Sequence, residues 1–156
     1  MGREVRRVPK DWDHPCDEVG GFIPMFDDDF ESASDEWKRG YEQWKTNPKR
    51  NDCEYWEYEG NPPERERFHP KWTDEERTNF QMYETTTEGT PISPVMETPE
   101  ELAQWLVDNS ASAFAGQTAS YEAWLRVARG GFACSAVLTE KGLDSAVEAL
   151  TRIEEA

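Results

Sequence analysis

Residues 98–109 read Thr98-Pro99-Glu100-Glu101-Leu102-Ala103-Gln104-Trp105-Leu106-Val107-Asp108-Asn109. A threonine able to cap, a proline suited to the first helical position and a glutamate three residues after the threonine predict a helix start. Leu102, Trp105 and Leu106 recur at helical spacing, and the stripe ends near Asn109. Working outward, Thr118 or Ser120 caps a second helix with Tyr121, Trp124, Leu125 and Ala128 on one face, ended by Gly130-Gly131. Phe132 to Leu138 is a short apolar run, a strand or a buried linker. A last helix is expected from near Asp144, with Leu143, Val147 and Leu150 in register. Upstream, Phe80 to Thr87 alternates bulky and polar residues as a strand does. Gly89-Thr90-Pro91-Ile92-Ser93-Pro94 is extended or turned, because prolines three apart exclude helix.

The N-terminal half is written differently. Val5 and Val8 flank Arg6-Arg7 and suggest a short edge strand, and the Pro and Gly punctuation of residues 11–25 predicts loop. Asp28 to Lys45 is expected to be helical, with Phe30, Trp37, Tyr41 and Trp44 on one face, acids at its start and Lys38, Arg39 and Lys45 toward its end. Glu54 to Tyr58 alternates in character and is read as a strand. Thr73-Asp74-Glu75-Glu76 is a capping box before one or two helical turns. The class is α+β in a single domain, 1–156. Its aromatic-rich, partly irregular half, 1–83, holds short strands; in 84–156 strand and loop lead into dominant helices.

Composition bounds the possibilities. Leu, Ile, Val and Phe together number 24 of 156 residues, a poverty that with high charge would mark disorder. Nineteen aromatic residues, seven of them Trp, supply the missing apolar surface, and fourteen of the nineteen fall in residues 1–83. No apolar run is long enough for a membrane span or a signal region. Three scattered cysteines, Cys16, Cys53 and Cys134, make a disulfide framework an unsuitable reading and a reducing cytoplasm a suitable one.

Charge is the strongest signal. The chain carries 33 acidic against 17 basic side chains, a formal net charge of −16. Residues 1–10 are net +3, whereas residues 11–36 hold ten acids and no Lys or Arg. Such a surface repels phosphate, so nucleic acid is not expected as a direct partner, but it steers cationic proteins into contact. The dense block Asp27, Asp28, Asp29, Glu31, Asp35 and Glu36 is the candidate contact surface. Successive acids on a helix point in different directions, so these do not converge as ligands for a hard cation. His14, Cys16, Cys53 and His69 have the atoms of a zinc site without its spacing, and no metal is assigned to them. Cys134 lacks any nucleophile context and is expected to be a small buried thiol. No catalytic residue and no cofactor is assigned. An alternative site for a small ligand such as a nucleotide is the Thr85–Pro94 loop, where Thr87, Thr90 and Ser93 carry hydroxyls and Arg65, Arg67, Lys71 and Arg77 are the nearest cations in sequence.

Several stretches resemble small acidic proteins of tailed phages and prophages of Proteobacteria: Gly2 to Pro9 with Trp12 and His14-Pro15, then Gln81 to Pro94, Thr98 to Ala103 with Trp105-Leu106, and Ser112 to Phe114 with Tyr121-Glu122 and Trp124-Leu125. That group has no established activity. The resemblance implies a phage-encoded accessory protein acting in the cytoplasm of a bacterial host. Combined with the charge, it leads to an expected role as a non-enzymatic inhibitor of anti-CRISPR or anti-restriction type. By imitating DNA, such a chain would occlude a basic, nucleic-acid-binding surface of a host defence protein. Oligomeric state is left open.

Overall fold

The computed structural model describes residues 2–47, 53–85, 89–130, 132–134, 136–139 and 142–155. The elements are β1 (Arg3–Val8), α1 (Phe30–Lys45), α2 (Tyr55–Glu59), β2 (Asn79–Glu84), α3 (Pro99–Asp108), α4 (Tyr121–Gly130), β3 (Phe132–Ala133), β4 (Ala136–Thr139), β5 (Gly142–Ser145) and α5 (Ala146–Glu155), with one 3-10 turn at Arg65–Arg67. The class is α+β. The chain divides into two compact units, one made of Met1–Pro24 with Trp72–Ala156 and the other of Met25–Lys71. Among the described residues no helix is long and apolar enough to cross a membrane.

In the first unit β1 lies between β2 and β3, antiparallel to both, with Arg3 opposite Glu84 and Val8 opposite Asn79. The edge strand expected around Val5 and Val8 is therefore a central one. Its arginines explain why charge did not exclude it. Arg6 and Arg7 lay their guanidinium groups over the rings of Tyr83 and Phe80, at 4.3 and 4.4 Å from the centroids. Their aliphatic stems thus serve as packing surface. Arg3 is buried as well; its Nε donates to the Ser112 carbonyl at 2.9 Å and its Nη1 lies 3.4 Å from Glu84 Oε1. Met82, Leu102, Leu106, Trp124, Val127 and Val147 form the heart of the core, all fully buried.

The helix expected at residues 98–109 forms as α3: the Thr98 hydroxyl accepts from the Glu101 backbone N–H, and Pro99 holds the first position. Ser120 begins α4 in the same manner, its Oγ accepting from Ala123 N at 3.3 Å. Thr73 and Glu76 exchange their reciprocal bonds around a single turn, in which Arg77 N donates to the Thr73 carbonyl at 3.2 Å, before β2 takes over the chain at Asn79. Two expectations are corrected. Leu143 belongs to β5, opposite Leu138, and is exposed instead of sharing the α5 face. Cys134 is exposed, since the pairing of β3 ends at Ala133.

In the second unit α1 begins one residue after Asp29, whose carboxylate caps it. Residues 54–58, expected as a strand, instead enter α2 through a capping box between Glu54 and Glu57. An alternating pentapeptide fits both periods, and two backbone donors satisfied at once decide for helix.

Candidate functional site

The six acids chosen from the sequence lie at or just before the start of α1, within the second unit. Asp29 Oδ2 accepts from the Ser32 backbone N–H at 3.0 Å and from its hydroxyl at 2.7 Å. Those bonds, with a smaller contribution from Lys71, hold the carboxyl below its ordinary range. Lys71 Nζ stands 3.6 Å from Asp29, and Arg65 Nη1 stands 2.8 Å from Glu31. The charges of Asp29 and Glu31 are therefore met by cations of the same unit. Asp35 shares an exposed cleft with Lys38, Arg39 and Glu42. Asp27, Asp28 and Glu36 are exposed, Asp28 beside a hollow walled by Phe26, Pro62 and Phe68. Along α1 the acids Glu31, Asp35 and Glu36 come first and Lys38 and Arg39 follow, with Glu42 and Lys45 in the last turn, so its negative charge is confined to the first half and does not run the length of the element.

What the second unit builds is a groove of about 680 Å³ in which acid and aromatic surface meet. The sequence stripe Trp37, Tyr41 and Trp44 comes down on Tyr55 of α2, with ring centroids 5.0, 5.5 and 5.9 Å away. Trp37 Nε1 donates to the Gly60 carbonyl at 3.0 Å, fixing its ring. Gly40 is the position that permits this approach: a Cβ there would collide with the Tyr55 hydroxyl. Burial raises the Tyr55 hydroxyl above its ordinary pKa, and the negative charges of Glu59 and Glu36 act in the same direction. Glu36, Glu59 and Tyr58 line the groove together with Trp37 and Trp44, and Arg39 is the one cation among the described lining residues. The unit already sets cations on rings, with Lys45 Nζ 4.8 Å from the Tyr41 centroid and Arg65 5.2 Å from that of Phe30. Ring faces flanked by carboxylates suit a guanidinium or ammonium group. Of the lining residues, Glu36 was chosen from sequence, while Tyr55, Tyr58 and Glu59 were not. The Glu54–Glu57 capping pattern was the signal that could have placed them on a helix.

In the first unit the described part of the alternative loop is bonded to β2. Thr87 lies outside the described residues. The Thr90 carbonyl accepts from Glu84 N at 2.9 Å, and Ser93 Oγ accepts from Met82 N while donating to the Pro94 carbonyl, both at 2.9 Å. Of the cations proposed for it, Arg65 and Lys71 pair within the second unit, and Arg77 is paired with Asp74. His14 is buried; its Nε2 donates to the Ile23 carbonyl at 2.7 Å and its Nδ1 meets the Tyr83 hydroxyl at 3.0 Å. Among the described residues no three His, Cys, Asp or Glu side chains gather as a metal site, and Cys16 and Cys53 are both exposed. Compared with family models, curated proteins and solved structures, the chain matches none of them.

Proposed function

We propose that this is a non-enzymatic interaction protein whose second unit engages a cationic surface of a partner, one that otherwise holds nucleic acid. The observation that carries this reading is the groove lined by Glu36 and Glu59 together with the rings of Trp37, Trp44 and Tyr58. An arginine or lysine entering it would gain both carboxylate and ring-face attraction. Exposed Asp27, Asp28 and Asp35 on the same unit add a field that draws such a partner in. In the first unit two of the three cations of β1, Arg3 and Arg6, are buried, and Arg7 is the exposed one. The resemblance to phage proteins gives the setting: a host-cytoplasmic inhibitor of a CRISPR or restriction effector, acting by occlusion of its nucleic-acid groove.

The test is retention of a nucleic-acid-binding protein from the host by the tagged chain, with and without duplex DNA as competitor. Retention should fall with salt and with added DNA, and Glu36→Lys with Glu59→Lys should weaken it at least about tenfold, the loss of two close charge pairs. Asp29 is left intact because its reversal would uncap α1. Retention indifferent to both DNA and the two reversals would overturn the reading.

A further inference from the structure

A cavity in the first unit, of about 480 Å³, opens between the 12–22 loop, the 91–95 segment and α3. Its size is that of a small-molecule site. The walls include aromatic rings and proline: Trp12, Phe22, Trp105, Pro91 and Pro94. These rings are held in place. Trp12 meets Trp72 edge-on at 4.8 Å and donates from Nε1 to the Tyr83 hydroxyl at 3.1 Å, while Phe22 meets His14 edge-on at 5.5 Å.

The polar lining explains what kind of molecule would fit. Gln81 donates from Nε2 to the Ser93 carbonyl at 2.8 Å and accepts from the Tyr83 hydroxyl at 3.1 Å. His14 uses both nitrogens on Ile23 and Tyr83. These groups make bonds within the protein, so an entering ring would meet mostly π faces and hydrocarbon. Asp13 is the one carboxylate in the lining and is exposed, and no Lys or Arg stands among the described lining residues. Burial, the largest influence, lowers the His14 pKa, and Arg6 behind Tyr83 is already paired with Glu4 at 2.8 Å. An anion would therefore face only Asp13, whereas a donor or cation would be drawn to it. This differs from a nucleotide held by loop hydroxyls, whose phosphates would find no counter-charge.

We propose that this cavity binds a planar aromatic amine, its ring against Trp12, Phe22 and Trp105 and its amino group directed to the Asp13 carboxylate. The site is independent of the groove in the second unit.

Calorimetry on the full chain with tryptamine, indole and indole-3-acetate tests it. Affinity should fall in that order, and Asp13→Asn should bring tryptamine down about fivefold, to the level of indole, as loss of one exposed charge contact would. Phe22→Ala, at a half-exposed position the fold can spare, should weaken tryptamine and indole alike by roughly three- to tenfold. Tryptamine should also shift the indole N–H resonances of Trp12 and Trp105. Equal affinity for all three probes, no heat at millimolar concentration, or binding unchanged in both variants would overturn the proposal.

Discussion

The two units solve the same problem, too few aliphatic residues and too much charge, in opposite ways. The first buries aliphatic side chains and Trp124 between helices and a three-stranded sheet, and it takes arginines into the interior, where Arg3 and Arg6 are as buried as its apolar neighbours. The second has a thin interior: among its described residues Met25, Tyr55 and Phe68 are the buried hydrophobics. Its tryptophans remain half-exposed and its cations stay at the surface in pairs with Glu31, Asp29 and Glu42. Exposed pairs of that kind contribute about 0–1 kcal/mol each, against several for a buried aromatic. Stability therefore resides in the first unit, and the second leaves apolar and charged surface exposed.

That contrast can be broken most directly at Trp124, fully buried in α4. Trp124→Ala should cost about 3–5 kcal/mol through lost burial and the cavity left behind. Denaturant titration reads it, and a loss below about 1 kcal/mol would mean that the helical core does not carry the first unit. A smaller effect is expected at Gly40. Gly40→Ala should cost about 1–3 kcal/mol by driving α1 off Tyr55, seen as faster amide exchange in α1 and α2. Adding Tyr55→Phe, which removes the oxygen that a Cβ would strike, should restore much of the protection. If it restores none, the close approach of α1 to Tyr55 is not what holds the second unit.

The smallest effect sharpens the account of the first unit's polar interior. Burial lowers the His14 pKa from its ordinary 6.5, with Arg6 adding to the shift and the Ile23 carbonyl and Asp13 opposing it. Below about pH 6.5 the unfolded chain then takes up a proton that the folded chain resists, so stability falls as pH drops. The slope contributed is at most about 1.4 kcal/mol per pH unit. His14→Gln should be less stable at neutral pH and should lose this slope below about pH 6.5. Equal slopes in the two proteins would assign the acid sensitivity to other groups.

The elements legible in the sequence were those whose signals are local. Thr98-Pro99 with Glu101 and Ser120 before Tyr121 each name a cap and a periodic face within a few residues, the acids and the aromatic stripe of residues 28–45 mark a third helix, and all three form there. Residues 54–58 misled because five alternating residues suit either period. The central place of β1 was hidden because a strand holding three arginines reads as a surface strand until Tyr83 and Phe80, more than seventy residues away, supply rings to cover the guanidinium groups.

The candidate site divides along the same line. Composition and order alone determined that the protein is acidic, aromatic and α+β, and that its acids crowd the start of α1. Only the tertiary structure decided which of those acids remain available. Arg65 and Lys71 return to Glu31 and Asp29 from more than thirty residues downstream, while α2 brings Glu59 and Tyr55 to Glu36 and the tryptophans. Charge is a sum over the chain, readable in one dimension; a binding surface is a matter of neighbours, and neighbours distant in sequence are chosen by folding.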